Sequence, residues 1–301
     1  MSLIESALEK LRRAGEAERQ PRDPGVTRTV SVVAGTAKAA PVAVVAPQPK
    51  AAEPARRITL DTHALRAAGY LPEEGLERRF ADHYRQIKRP LIEKALADAK
   101  DMRLIMVSSA LPGDGKTFTS LNLALSLAHE RDASALLVDA DAPKARISEV
   151  LGLRRAPGLL DALADDSLDA RSLIVGTDVR GLEILPAGRS VENATELLAS
   201  ARMRQIAAGL LARSALQLVL FDSAPLLVSS EARALLRIPG QIVLVVRVDK
   251  TPRQALLDAA AYVDRTRFQG LILNHVPFTQ GTGYYGYTGY YEAGDEITGA
   301  G

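Results

Sequence analysis

From Arg103 onward, short apolar runs alternate with longer stretches in which apolar residues recur every three or four positions. The runs at 104–108, 135–139, 182–185, 218–222, 242–248 and 271–274 predict strands. Several are continuously apolar rather than alternating, as in parallel strands covered on both faces. Between them, 118–130, 196–211 and 253–265 carry a helical period. Strand and helix in alternation predict an α/β domain over 101–276 with a doubly wound, mostly parallel sheet.

Before that domain the pattern differs. Leu3, Ile4, Ala7, Leu8 and Leu11 fall on one face of a predicted amphipathic helix within residues 1–20. Residues 21–57, rich in Pro, Ala and Val, read as an extended, mobile linker broken by Pro21, Pro24, Pro41, Pro47 and Pro54. Residues 58–100 form a helical lead-in, with Phe80, Tyr84, Ile87, Leu91, Ile92 and Leu96 among charged residues. Pro90 is expected to end or start a helix there. Past Pro277 no periodicity survives, and the glycine-rich stretch 277–301 reads as a disordered tail.

Composition narrows the function classes. The chain has 301 residues, 47% hydrophobic and 25% charged, enough for a large core without staples. It has no cysteine, which excludes disulfides, thiolate metal sites and cysteine nucleophiles. A net charge of +2 is too small to argue for nucleic acid. The charge is uneven: residues 1–100 are net +5 and the remainder net −3. No uncharged apolar run reaches the roughly 18 residues a membrane span needs. The start of the chain has an early acid and no apolar h-region, so a secretory signal is not expected.

The chemistry begins at Ala110-Leu-Pro-Gly-Asp-Gly-Lys-Thr117, between a predicted strand and a predicted helix. A phosphate-binding loop needs that context, because its backbone N–H groups curl around phosphate oxygens at a helix N-terminus. ATP would be held by Pro112, Gly113, Asp114, Gly115, Lys116, Thr117 and Phe118. Lys116 would reach the β- and γ-phosphates, and the Thr117 hydroxyl would ligate Mg²⁺. Where the strict motif has a first glycine, this chain has Ala110. Two acidic segments follow at strand ends, Leu136-Leu-Val-Asp139-Ala-Asp141 and Leu218-Val-Leu-Phe-Asp222. Ligands bind at the C-terminal ends of strands in such sheets. Asp139, Asp141 and Asp222 are therefore expected to converge on the metal and the γ-phosphate. The four histidines have no metal-ligand spacing, and no Gly-x-Ser-x-Gly elbow occurs.

Five of the eight tyrosines, Tyr284, Tyr285, Tyr287, Tyr290 and Tyr291, lie within eight glycine-spaced residues of the tail. Together with Pro112-Gly-Asp-Gly-Lys-Thr117, the acidic pair, Phe221-Asp-Ser-Ala-Pro225 and Glu192-Asn-Ala-Thr-Glu-Leu-Leu-Ala199, this cluster resembles the bacterial P-loop tyrosine autokinases of exopolysaccharide synthesis. Met1-Ser-Leu-Ile-Glu5 and Tyr84-Arg-Gln-Ile-Lys-Arg-Pro-Leu91 are similar to the branch beside exosortase (PEP-CTERM) loci.

The resemblance implies MgATP on Lys116 and Thr117. It also implies Asp139 or Asp141 as the base for a tyrosine hydroxyl, and a metal set of Thr117, Asp139 and Asp222. Asn274 is carried over as a residue facing the adenine. The five tail tyrosines would be phosphorylated by a neighbouring subunit of a homo-oligomer. A separate transmembrane chain-length regulator would bring the chain to the inner face of the membrane. The family's Glu-x-x-Arg-x-x-Arg oligomerisation motif appears only as Asp82-x-x-Arg85-x-x-Lys88, and Pro143-Lys144 stand where an arginine follows the acidic pair.

Two other readings share parts of this pattern. ParA/MinD-like positioning ATPases carry a lysine five residues before the catalytic one, where this chain has Leu111. A nucleotide-gated assembly protein would use the aromatic tail for adhesion without chemistry.

Overall fold

The computed structural model describes residues 54, 56–97, 100–211 and 216–276, with the backbone alone for 29–34. The expected helix in residues 1–20 and the tyrosine-bearing tail lie outside the described residues. In chain order the elements are β1 (Thr29–Ala34), β2 (Arg56–Ile58), α1 (Thr62–Ala67), α2 (Glu77–Ala97), β3 (Leu104–Ser109), α3 (Lys116–Ala128), β4 (Ser134–Ala140), α4 (Arg146–Val150) and α5 (Leu159–Ala164). They continue with β5 (Val175–Thr177), β6 (Leu182–Leu185), α6 (Ala194–Ala199), α7 (Ala201–Leu210), β7 (Gln217–Ser223), α8 (Ser230–Leu235), β8 (Gln241–Arg247), α9 (Arg253–Ala260) and β9 (Phe268–Val276).

The strands form a single sheet in the order β1-β9-β8-β3-β7-β4-β6-β5-β2. From β9 to β6 every pairing is parallel. At the margins β1 runs antiparallel to β9 and β5 antiparallel to β6, while β2 runs parallel to β5. The doubly wound, mostly parallel α/β sheet is thus present.

The continuous apolar strands are explained by two cores, one on each face. Met106, Val138, Phe221, Leu244 and Leu273 belong to the core covered by α5 to α9. Ile105, Val107, Leu137, Leu220, Val245 and Ile272, one position out of step, belong to the core covered by α2 and α3. Successive side chains of a strand point to opposite faces, so both parities must be apolar.

Several boundaries differ from the sequence reading. The stretch read as linker contributes β1 and β2 to the two edges of the sheet. Their runs of six and three residues lie between proline-rich segments, and pairing to the sheet sustains them. The helix expected over 196–211 is two helices. At Ser200 the backbone is extended (φ −72°, ψ 165°) and its hydroxyl accepts from the Met203 N–H at 3.2 Å, capping α7.

Pro90 does not interrupt α2. A proline deprives the carbonyl four residues earlier of its partner. That residue is Gln86, which is exposed, so water can satisfy its carbonyl.

α2 buries Phe80, Tyr84, Ile87, Lys88, Leu91 and Ala95 at helical spacing. Each of its large apolar side chains contributes about 1.5–3 kcal/mol when buried. The Tyr84–Leu91 segment is therefore this helix's inward stripe. The altered oligomerisation motif is used within the chain: Arg85 pairs with Asp82, and Lys88 is 5% exposed. The Lys88 ammonium donates to the Ser126 carbonyl at 2.6 Å and pairs with Glu130 at 2.8 Å. Among the described residues no helix is long and apolar enough to cross a membrane.

Candidate nucleotide site

The candidate site residues lie at the C-terminal edge of the parallel strands, where β3, β4, β7 and β9 end. β3 runs into the loop 110–115, and Gly115 caps α3 in the left-handed region at φ 97°. Gly113 is left-handed too, at φ 89°. Two left-handed residues turn the chain sharply enough to aim N–H groups inward, and glycine adopts them without a Cβ penalty.

The loop is held from three sides. Asp114, 1% exposed, accepts from the Leu111 N–H at 3.1 Å and from the Thr251 hydroxyl at 2.7 Å. Both of its carboxylate oxygens thus brace the loop. Asn274, 2% exposed on β9, donates from Nδ2 to the Asp114 carbonyl at 2.9 Å. Its Oδ1 accepts from the His275 N–H at 3.0 Å. It thus serves as a strut under the loop.

Lys116 opens α3 at 7% exposure. Burial lowers its pKa, opposed by the charges of Asp222, Asp141 and Asp114. Register sets Asp139 of β4 directly beside Asp222 of β7. The Asp222 carboxylate accepts from the Thr117 hydroxyl at 2.9 Å and the Ser120 hydroxyl at 2.8 Å. Complete burial and the neighbouring Asp139 charge push its pKa up to about 7, against the pull of Lys116 and the two hydroxyls.

Asp139 accepts from both the N–H and the hydroxyl of Ser148 at 2.7 Å. That hydroxyl in turn accepts from the Ala187 N–H at 2.9 Å. Burial raises Asp139 to about 6 despite these donors. Asp141 is different. It is 4% exposed, its Oδ1 has no hydrogen-bond partner, and burial raises its pKa against the pull of Lys116 and Lys144.

The three aspartates thus share one neighbourhood but not one role. No group of three His, Asp or Glu side chains that could hold a metal occurs among the described residues. In this structure Asp139 accepts from Ser148, and Asp222 accepts from Thr117 and Ser120 of α3. A magnesium ion in a nucleotide site takes one or two protein ligands and completes its shell with phosphates and water. The Thr117 hydroxyl and the Asp222 carboxylate, 2.9 Å apart, are a donor set of that kind.

Three partners escaped the sequence reading. Ser120 sits one helical turn after Thr117, and that i,i+3 spacing would have flagged it. Thr251 follows a strand end, where ligand-side residues collect. Ser148 carried no signal, because its place depends on how α4 folds back on β4. The five tail tyrosines lie outside the described residues.

Residues 102–264 match the family described as AAA domain. Tyrosine-protein kinase YwqD of Bacillus subtilis is 31% identical over 210 residues, 68% of this chain and 86% of that protein. Tyrosine-protein kinase wzc of Salmonella typhimurium is 33% identical over 193 residues, 63% of this chain. The match spans 26% of wzc, so this chain corresponds to about a quarter of that protein. The kinase domain of Escherichia coli tyrosine kinase ETK superposes with a TM-score of 0.59 at 26% identity, covering 69% of this chain and 80% of that one.

Proposed function

The chain belongs to the bacterial tyrosine-protein kinases, and from that premise we propose that it transfers the γ-phosphoryl group of ATP to the tyrosines of its own tail, Tyr284 to Tyr291. The observation that carries this reading is the pairing of a braced phosphate loop with Asp141, whose buried oxygen is left open beside Lys116.

In this reading the loop N–H groups and Lys116 orient the phosphates. Thr117 and Asp222 would hold Mg²⁺, which would neutralise the charge that builds up on the transferring group. Asp141 takes the proton of the tyrosine hydroxyl as the phenol oxygen attacks the γ-phosphorus, with ADP leaving. A base whose pKa is raised toward neutrality suits that task. Asp139, with one oxygen held twice by Ser148 and the other accepting from the Asp141 N–H at 3.4 Å, positions β4 rather than accepting the proton.

With random-coil statistics, the ten to seventeen residues that separate Asn274 from the tyrosines would reach about 16–25 Å. That reach admits a neighbouring subunit's site or the chain's own, and the family resemblance favours transfer in trans within a homo-oligomer. Five phosphotyrosines would add roughly −8 to −10 of charge, and the repulsion would loosen the assembly. We assign the chain to exopolysaccharide synthesis, recruited to the membrane by a separate transmembrane chain-length regulator.

The test is incubation with MgATP followed by mass-spectrometric mapping. Phosphate on residues 284–291 is expected, and none in Lys116→Met. Normal ATP binding without tail phosphate would favour a positioning ATPase or an assembly protein. Mixing Lys116→Met with a tail-deleted chain decides the route, since trans transfer labels the Lys116→Met tail.

A further inference from the structure

Lys250 overhangs the phosphate loop from the turn that leaves β8. Its Nζ lies 3.9 Å from the point a Cβ on Gly113 would occupy. The side chain is exposed, and among the described residues no carboxylate pairs with it. Its sequence neighbour Asp249 is instead held by Arg247 at 2.9 and 3.1 Å.

The turn that carries Lys250 is fixed to the loop it faces. The Thr251 hydroxyl donates to Asp114 at 2.7 Å and accepts from the Arg247 N–H at 3.1 Å. The N–H groups of Lys250 and Thr251 both donate to the Arg247 carbonyl, at 3.2 and 2.9 Å. Asp114, the residue after Gly113, thereby sets the position of the Lys250 backbone relative to the glycine turn.

The geometry points to Lys250 as a second cation of the nucleotide site, contacting the phosphate chain from the solvent side while Lys116 approaches from within. This rests on the reading that the loop binds a nucleoside triphosphate. An unpaired ammonium gives up little on meeting an anion, whereas a paired one must first break its bridge. A lysine acts on phosphate as a point charge and reads no base, so the contact is indifferent to nucleotide identity. Because it is exposed, it contributes at the low end of charge-assisted hydrogen bonds.

Titration calorimetry on the full chain tests it with MgATP, MgADP and MgGTP at two salt concentrations. Lys250→Met keeps the aliphatic stem and removes the charge. It should weaken all three nucleotides by one common factor of about threefold to tenfold and flatten the salt dependence. Lys250→Arg should stay within about twofold of the native protein. An unchanged nucleotide-free melting temperature in Lys250→Met shows that the loop is intact. Binding by Lys250→Met within about twofold of native, or a loss confined to one base, overturns the assignment. A native chain that binds no nucleotide overturns the kinase reading and this one together, which separates the two failures.

Discussion

The side-chain amide of Asn274 fills the space in which a Cβ on Gly115 would sit. Its Nδ2 lies 1.8 Å from that point, and it donates to the Asp114 carbonyl at 2.9 Å. The last strand and the phosphate loop are therefore built around the absence of one methyl group. Gly115→Ala meets both this clash and a left-handed backbone at φ 97°, a conformation that costs about 1–3 kcal/mol for an ordinary residue. It should lose ATP binding by at least tenfold. Asn274→Ala leaves the Asp114 carbonyl without its donor, at about 1–3 kcal/mol. Calorimetric titration and thermal melting check both, and near-native affinity in Gly115→Ala would contradict the account.

Asp141 and Asp139 should separate kinetically. Asp141→Asn removes the charge and basicity of the carboxylate and should lower kcat by about 10²–10⁴ while ATP binds within a few-fold. Asp139→Asn disturbs the Ser148 contacts and should show in the melting temperature at least as much as in kcat. Rates of tail phosphorylation beside nucleotide affinities provide the comparison. Equal rate losses in both variants would return the base to either aspartate.

Stability should depend on pH through Asp222. Its folded-state pKa, raised to about 7 chiefly by burial, means that the folded chain binds a proton the unfolded chain has released. Stability contributed by that proton is lost as pH rises from the ordinary carboxylate range to about 7. His83, held below its ordinary value by burial, works the other way over part of that window. The readout is therefore a difference: without nucleotide and in EDTA, melting temperature should fall from pH 5 to 8 more steeply in the native chain than in Asp222→Asn. Parallel curves would remove Asp222 as the cause.

Lys88 should matter for folding rather than for assembly. Lys88→Ala leaves the Ser126 carbonyl and Glu130 without their cation. A cost of about 1–3 kcal/mol is expected, because one partner of a largely buried network is lost. Light scattering at matched concentration should show the oligomer mass of the native chain. A changed mass with an unchanged melting temperature would place Lys88 in an interface instead.

The legible parts of the site were those encoded locally. The turn at Gly113 and Gly115, Lys116 and Thr117 opening a helix, and aspartates ending apolar runs each announce themselves within a few residues. The illegible parts depend on separation. Asn274 meets Asp114 across 160 positions, Thr251 meets it across 137, and Asp222 meets Thr117 across 105. The same holds for the edges: β1 and the three-residue β2 lie in a stretch interrupted by proline, and pairing to the sheet recruits them.

The sequence alone determined the α/β alternation, the two-sided burial of the central strands, the phosphate loop and the neighbourhood of the three aspartates. Those follow from side-chain period and backbone freedom, which act over a few residues. Only the tertiary structure decided which aspartate is left open. Parallel pairing sets Asp139 beside Asp222, α4 brings Ser148 onto the first, and α3 brings Thr117 and Ser120 onto the second. Asp141 keeps a buried oxygen without a partner because no donor group of the described residues comes within hydrogen-bond reach of it.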